Sequence, residues 1–145
     1  MDHDAAGPCE QAGTTHVSKT VLATKLAAES DLPFVRMISA DTMIGCSEGT
    51  KCSLLLETFT MAYKSPLSII FIDDIERILE FTPVGHHFSN PVLQTLLILL
   101  RKIPPAPCRL MVVATTAVAH HLDTLQLSVA FNVILHCPCC SSPRR

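Results

Sequence analysis

The chain has no long hydrophobic run, no excess of charge of one sign and no apolar start, and each absence excludes a class of protein. Its net charge is −2 over 145 residues, so no basic excess indicates an electrostatic nucleic-acid binder. The longest apolar run, Leu96 to Leu100, is far shorter than the roughly 20 residues that span a bilayer. Residues 1–7 are polar and acidic, unlike a secretory signal.

The cysteines also lack the even number that a set of disulfides requires. There are seven of them, and without an export signal we expect free thiols in a reducing compartment. This indicates a cytoplasmic protein. Hydrophobic residues make up 48% of the chain, which is enough for one globular domain with a single core.

The most informative segment is GTTHVSKT, residues 13–20, which follows the phosphate-binding loop pattern except that Ser18 stands at its second glycine. In such a loop backbone N–H groups surround the β- and γ-phosphates, the lysine bridges their oxygens and the hydroxyl binds Mg²⁺. A helix begins at the lysine and directs its positive end at the phosphates. A Cβ at the second glycine costs about 1–3 kcal/mol where that position needs a positive φ. We therefore predict a weakened phosphate site.

The apolar periodicity predicts alternating helices and strands. The run from Leu67 to Ile72 is almost continuously apolar, which is typical of a parallel strand covered on both faces. Such alternation predicts a three-layer α/β fold with a parallel sheet that binds ligands at the carboxyl ends of its strands. The predicted helices are 19–30, 48–63 (capped by Ser47), 75–81, 90–102 and 122–127, and the predicted strands are 32–38, 67–72, 109–114 and 131–136.

Two carboxylates, Asp73 and Asp74, follow the strand that ends at Ile72. In phosphate-loop NTPases the first acid binds Mg²⁺ through water and the next orients the attacking water. Taken alone, the pair fits a surface turn after a buried strand better than a metal site. The Lys-Thr loop earlier in the chain favours the nucleotide site. Glu76 and Arg77 are expected to form an ion pair at the surface or at a subunit interface.

From residue 13 to 138 the sequence resembles the second ATPase domain of the vesicle-fusing AAA+ ATPases, the N-ethylmaleimide-sensitive fusion factors. The resembling segments are HVSKTVLATKLAAESDLPF, DTMIGCSEGTKC, AYKSPLSIIFIDDIERILEF, PVGHHFSNPVLQTLLILLRKIPP and MVVATTA. The resemblance implies an AAA+ core of the P-loop NTPase class over residues 13–138. It leaves an atypical segment at 1–12 and a disordered Cys/Ser/Arg tail at 139–145.

The resemblance also implies partners. Members of that family form hexamers and use ATP to take apart SNARE complexes, to which an adaptor protein links them. Their second domain chiefly binds ATP and holds the hexamer together. We therefore expect like subunits and SNARE complexes as partners, no nucleic acid, and contact with membranes only through those partners.

Carried over by position, Lys19 contacts the β- and γ-phosphates and Thr20 binds Mg²⁺, so that ATP and Mg²⁺ are the implied cofactors. The remaining nucleotide-binding positions supply backbone N–H groups or adjoin the hydroxyl, and they are Gly13, Thr15, His16, Val17, Ser18 and Val21.

The acids and one arginine complete the implied site. Asp73 serves the metal shell, and Asp74 orients the attacking water less well than the glutamate of fast AAA+ ATPases, because its side chain is one methylene shorter. Arg101 occupies the place of a lysine that reaches a neighbouring subunit's nucleotide. A solvated cation at a helix C-terminus is an equal alternative for Arg101.

Other departures from the family pattern lower the expected activity. Ala117 replaces a polar residue that would sense the γ-phosphate, which leaves Thr116 as a weak substitute. No apolar run precedes Gly13, so we expect an unpaired edge beside the strand that begins at Arg109. No segment up to Arg145 matches the family's helical lid over the adenine. We expect weak ATP–Mg²⁺ binding with little hydrolysis or, alternatively, a non-catalytic module that docks on full-length relatives.

Overall fold

The computed structural model describes residues 15–137, without the side chains of residues 15–18 and 86. Helices and strands alternate within this range, as the periodicity predicts. None of these helices is long and apolar enough to cross a membrane. The elements are α1 (Thr15–Glu29), β1 (Phe34–Ile38), a 3₁₀ turn (Ala40–Met43), α2 (Glu48–Ala62), β2 (Leu67–Ile72), α3 (Ile75–Ile78), a 3₁₀ turn (Val84–His86), α4 (Asn90–Arg101), β3 (Arg109–Ala114), α5 (Ala119–Thr124) and α6 (Leu127–Ala130).

The three strands form one parallel sheet in the order β1-β2-β3. In its register Val35 lies opposite Ile69, and Ile69 lies opposite Met111. Helical segments connect successive strands, since parallel neighbours need a crossover rather than a hairpin. The strands therefore end together at one edge, and the predicted parallel α/β fold is confirmed.

The central strand β2 is buried on both faces, which makes the fold three-layered. Ile70 and Ile72 face the larger cluster, which α2 and α4 cover, whereas Ile69 and Phe71 meet Ala23 of α1 on the other face. Side chains alternate along a strand, so one apolar run can fill two cores. The larger cluster also contains the fully buried side chains of Leu55, Phe59, Val92 and Leu96.

The predicted last strand, residues 131–136, is wrong. The segment is irregular, and Val133 and Leu135 are exposed. A strand needs a neighbour for its backbone groups, and no described residue pairs with this segment or with the outer edge of β3. A cavity of about 880 Å³ is lined by both of them. The unpaired edge expected beside β3 is present in the part of the chain that the structure describes.

Two helix predictions also need correction. α1 begins at Thr15 rather than at Lys19, so residues 15–18 form a helical turn instead of an open loop. No glycine lies in this stretch to favour a non-helical backbone. The predicted helix 122–127 is divided into α5 and α6, because Gln126 has a positive φ of 59° and interrupts the helical hydrogen bonds.

Candidate functional site

Thr20 contacts Asp73, and Lys19 contacts Thr116, at the carboxyl edge of the sheet. The Thr20 hydroxyl donates to the Asp73 carboxylate, with its Oγ1 at 2.8 Å from Oδ1 and 3.0 Å from Oδ2. Lys19 Nζ donates to the carbonyl oxygen of Thr116 at 2.6 Å. The structure therefore brings together the residues that the sequence assigned to phosphate, to the metal and to the end of β3.

Helix periodicity and sheet pairing place these side chains. Lys19 and Thr20 precede the buried Ala23 by four and three residues, so both lie on the side of α1 that faces the sheet. Asp73 follows β2 directly, and its backbone N–H donates to the carbonyl of Ile38 at 2.8 Å. This bond holds the end of β2 against the end of β1.

Thr115 joins both acids to β3, and the sequence analysis missed it. Its hydroxyl donates to Asp73 Oδ1 at 2.8 Å and accepts the backbone N–H of Asp74 at 2.9 Å. Its carbonyl accepts the N–H of Ile75 at 3.1 Å. A signal was available, because Thr115 is the first residue after β3 and must lie at the same edge as Asp73.

Asp74 lies beside this cluster in a left-handed backbone conformation, with φ of 48° and ψ of 64°, just before α3. Aspartate tolerates this region better than most residues. Its Oδ2 lies 3.7 Å from Nε of Arg77. The role of Asp74 in orienting water stays a prediction.

The predicted surface ion pair of Glu76 and Arg77 is wrong. Glu76 is only 8% exposed, and its Oε1 accepts the backbone N–H of Ala117 at 3.0 Å. Arg77 contacts Asp74 instead. The reason is that α3 begins directly after the acids, so its first turn directs Glu76 inward against the loop that follows β3.

The other predicted nucleotide-binding residues of the phosphate-loop segment lie at the start of α1 or before it. Gly13 and the segments 1–12 and 139–145 lie outside the described residues. The backbone N–H groups of residues 15–18 belong to the first turn of α1, where they have no acceptor within the helix. Val21 is exposed on α1 beside Thr20.

Arg101 is not brought to this cluster. It is the exposed last residue of α4. The next residue, Lys102, has its Nζ 5.2 Å from the ring centroid of Tyr63, which lies just before β2. Arg101 is therefore near the amino ends of the strands, and its predicted contact with a neighbouring subunit's nucleotide stays a prediction.

The ligands at this edge suit magnesium only together with a phosphate. Among residues 15–137 no group of three or more His, Cys, Asp or Glu side chains could hold a metal ion. Thr20 and Asp73 offer hydroxyl and carboxylate oxygens, which are the hard ligands that Mg²⁺ prefers. Mg²⁺ is usually bound by one or two such side chains, with phosphates and waters completing the shell. The residues present fit that arrangement.

Most of the sequence matches one protein family. It matches the family described as "ATPase family associated with various cellular activities (AAA)" over residues 12–138. The chain belongs to the AAA ATPase family. This membership agrees with the parallel sheet and with the Lys-Thr and Asp-Asp positions at its carboxyl edge.

Named relatives narrow the similarity to vesicle-fusing ATPases, which confirms the predicted resemblance. The chain is 46% identical over 125 residues to a vesicle-fusing ATPase of Arabidopsis thaliana, covering 86% of this chain and 17% of the relative. The vesicle-fusing ATPase of Caenorhabditis elegans is 41% identical over 127 residues, with 88% and 15% covered. That of Dictyostelium discoideum is 37% identical over 132 residues, with 91% and 18% covered. The chain thus spans less than a fifth of the length of these relatives.

Proposed function

We propose that this chain is an AAA nucleotide-binding domain that takes ATP with Mg²⁺ at Lys19, Thr20 and Asp73. The observation that carries this proposal is the contact of 2.8 Å between the Thr20 hydroxyl and the Asp73 carboxylate. These oxygens come from distant parts of the chain and are the pair that a nucleotide-bound magnesium needs. When bound, Mg²⁺ would neutralise charge on the phosphates.

Lys19 and the start of α1 supply the positive field for the phosphates. An ammonium has three N–H donors, so one can stay on the Thr116 carbonyl while the others reach phosphate oxygens. The N–H groups of the first turn of α1 have no acceptor within the helix, and they add to this field at its positive end.

Hydrolysis by this domain is proposed to be slow. Asp74 is the only acid next to Asp73 in sequence after β2, and its carboxylate already lies 3.7 Å from the guanidinium of Arg77. Ala117 offers only its N–H, which Glu76 accepts. A lytic water would therefore be oriented by a short side chain with little help from the loop after β3.

The biological setting is proposed from the vesicle-fusing relatives. In that setting the domain acts in vesicle-mediated transport, within a cytoplasmic hexamer of AAA subunits that takes apart SNARE complexes through an adaptor protein. It contacts membranes through those partners and does not bind nucleic acid.

A second candidate is a non-catalytic module that docks on full-length relatives. The helical turn at residues 15–18, where an open loop was predicted, favours this alternative, because a helix surrounds the phosphates less closely than a curled loop. Such a module would hold nucleotide weakly and turn none over.

Titration with a fluorescent ATP analogue, with and without Mg²⁺, tests the site. Lys19→Ala should weaken binding about tenfold or more, since it removes a charge-assisted contact. Lys25→Ala, an exposed lysine on the same helix, is the matched control and should change nothing. Equal affinity of the parent and the Lys19→Ala chain would contradict the proposal.

Phosphate release separates the two candidates. Steady turnover that is lost in Asp74→Asn favours an ATPase. Binding that depends on Lys19, without measurable turnover, favours the non-catalytic module.

A further inference from the structure

We infer that Glu76 positions Lys19 through the peptide unit that joins Thr116 to Ala117. Glu76 Oε1 accepts the N–H of Ala117 at 3.0 Å, and Lys19 Nζ donates to the carbonyl of Thr116 at 2.6 Å. That N–H and that carbonyl belong to the same peptide unit. The inference rests on the proposed function insofar as Lys19 is the phosphate ligand there.

The geometry of a trans peptide makes the two contacts interdependent. The unit is planar, and its C=O and N–H point in opposite directions. With the N–H directed at the Glu76 carboxylate, the carbonyl must point away from Glu76, which is where the Lys19 ammonium lies. Turning the unit over would set the carbonyl against the carboxylate and the N–H against the ammonium. Both of those arrangements are repulsive, so Glu76 selects the direction that accepts Lys19.

The neighbouring hydrogen bonds stabilise the loop after β3 but do not determine which way the Thr116–Ala117 peptide unit points. The Thr115 carbonyl accepts from Ile75 N at 3.1 Å, and the Thr116 hydroxyl accepts the N–H of Val118 at 3.1 Å. These contacts fix the chain before and after the peptide unit. The orientation of the unit itself depends on the groups at its two ends.

The burial of Glu76 indicates that its carboxylate has a specific use. Its second oxygen, Oε2, is buried without a hydrogen-bond partner among the described residues. A buried carboxylate with an unpaired oxygen costs free energy. Here the Glu76 carboxylate accepts the N–H of the Thr116–Ala117 peptide unit, and the carbonyl of that unit accepts from the Lys19 ammonium. Hydrogen bonds linked in this way strengthen one another.

Amide hydrogen exchange at Ala117, measured by NMR on the nucleotide-free full chain, tests the contact directly. Glu76→Ala should speed exchange at Ala117 about tenfold or more, because it removes a charged acceptor. Glu76→Gln keeps an acceptor oxygen and should restore most of the protection. Glu57→Ala, which removes an exposed carboxylate on α2, should leave this amide unchanged.

Exchange at the Ala117 amide also tests whether a change at Lys19 is felt at the other end of the peptide unit. Lys19→Met should speed exchange at Ala117 about threefold or more, since the peptide unit loses the cation on its carbonyl. Lys25→Met is the matched control and should have no effect. This pair decides the question even if Glu76→Ala fails to fold. An Ala117 amide that does not respond to Lys19→Met overturns the inference.

A double-mutant cycle on affinity for the fluorescent ATP analogue distinguishes positioning from a purely structural role. Glu76→Ala should weaken binding about fivefold in the parent chain and less than about twofold in the Lys19→Met background. Equal losses in both backgrounds would overturn the inference. A chain that binds no nucleotide at all would contradict the proposed function instead, and the exchange measurements would still decide the role of Glu76.

Discussion

Lys51 is a buried lysine of α2 whose ammonium donates to the carboxylate of Glu80, a residue that is itself mostly exposed. The side chain of Lys51 is 6% exposed and that of Glu80 is 57% exposed. Because the cation is buried, removing its partner leaves a charge without compensation. Water can reach the Glu80 side of the pair, which reduces the loss.

We therefore expect Glu80→Ala to lower the free energy of unfolding by about 1–3 kcal/mol. Urea unfolding measures this change. Glu29→Ala is the matched control, because Glu29 pairs with Lys25 on the exposed face of α1 and should lose less than about 0.5 kcal/mol. Equal losses in the two variants would show that the burial of Lys51 does not matter.

Asp73→Asn should remove the effect of magnesium on nucleotide binding. The amide keeps an oxygen for the Thr20 hydroxyl but loses the charge that holds a divalent cation. In the parent chain Mg²⁺ should tighten binding of the fluorescent ATP analogue about tenfold, and in Asp73→Asn less than about twofold. Asp123→Asn, an exposed aspartate on α5, should behave as the parent does. If Asp73→Asn retains the magnesium effect, the metal lies elsewhere.

Ser18→Gly should tighten nucleotide binding. A glycine both destabilises the helical turn at residues 15–18 and permits a positive φ, so the segment can open into a loop around the phosphates. We expect an increase in affinity of about fivefold to tenfold. Ser18→Ala also removes the hydroxyl but adds no backbone freedom, so it should give no such increase. A gain of equal size in Ser18→Ala would assign the effect to the side chain.

Tyr63→Phe should make the chain more resistant to alkaline unfolding. Burial, and secondarily the nearby Cys108, raise the pKa of the Tyr63 hydroxyl above its usual value. The folded chain therefore favours the neutral form. The preference of the folded chain for neutral Tyr63 leaves stability unchanged below the unfolded pKa of about 10. As the pH rises from there through the higher folded pKa, the free energy of unfolding falls.

The measurement is urea unfolding of both chains from neutral pH to beyond pH about 10. The stability of Tyr63→Phe should fall less steeply in the alkaline range. Near neutral pH it should be at least as stable as the parent, because the buried hydroxyl has no hydrogen-bond partner among the described residues. Tyr63 is the only tyrosine, so phenolate absorbance follows its titration without interference. Parallel curves for the two chains would contradict the prediction.

The elements that the sequence predicted well are those with a local cause. Ile69 to Ile72 are apolar without interruption, and β2 is the strand buried on both faces. Ser47 was expected to cap α2, and its hydroxyl accepts the N–H of Thr50 at 3.3 Å. Capping and burial on two faces each need only a short stretch of neighbouring residues, so a single sequence reveals them.

The predictions that failed required knowledge of a distant partner. Residues 131–136 have the composition of a strand but lack a paired neighbour in the described chain. Glu76 was expected at the surface because it is charged, whereas the backbone of Ala117 provides it with a buried donor. Thr115 was overlooked because only its position after β3 places it at this edge, and its bond to Asp73 appears only in the folded chain.

By itself the sequence determined the class of fold and the chemical types at its binding edge. Apolar runs separated by helical periodicity favour parallel strands joined by helices. A lysine and a hydroxyl stand near the start of α1, before the first of these strands, and the paired acids follow β2. Only the tertiary structure decided which groups meet there. Thr20 contacts Asp73, and one peptide unit lies between Lys19 and Glu76. Hydrogen bonds form between specific atoms a few ångströms apart, and distances across a sheet are not encoded in the spacing along the chain.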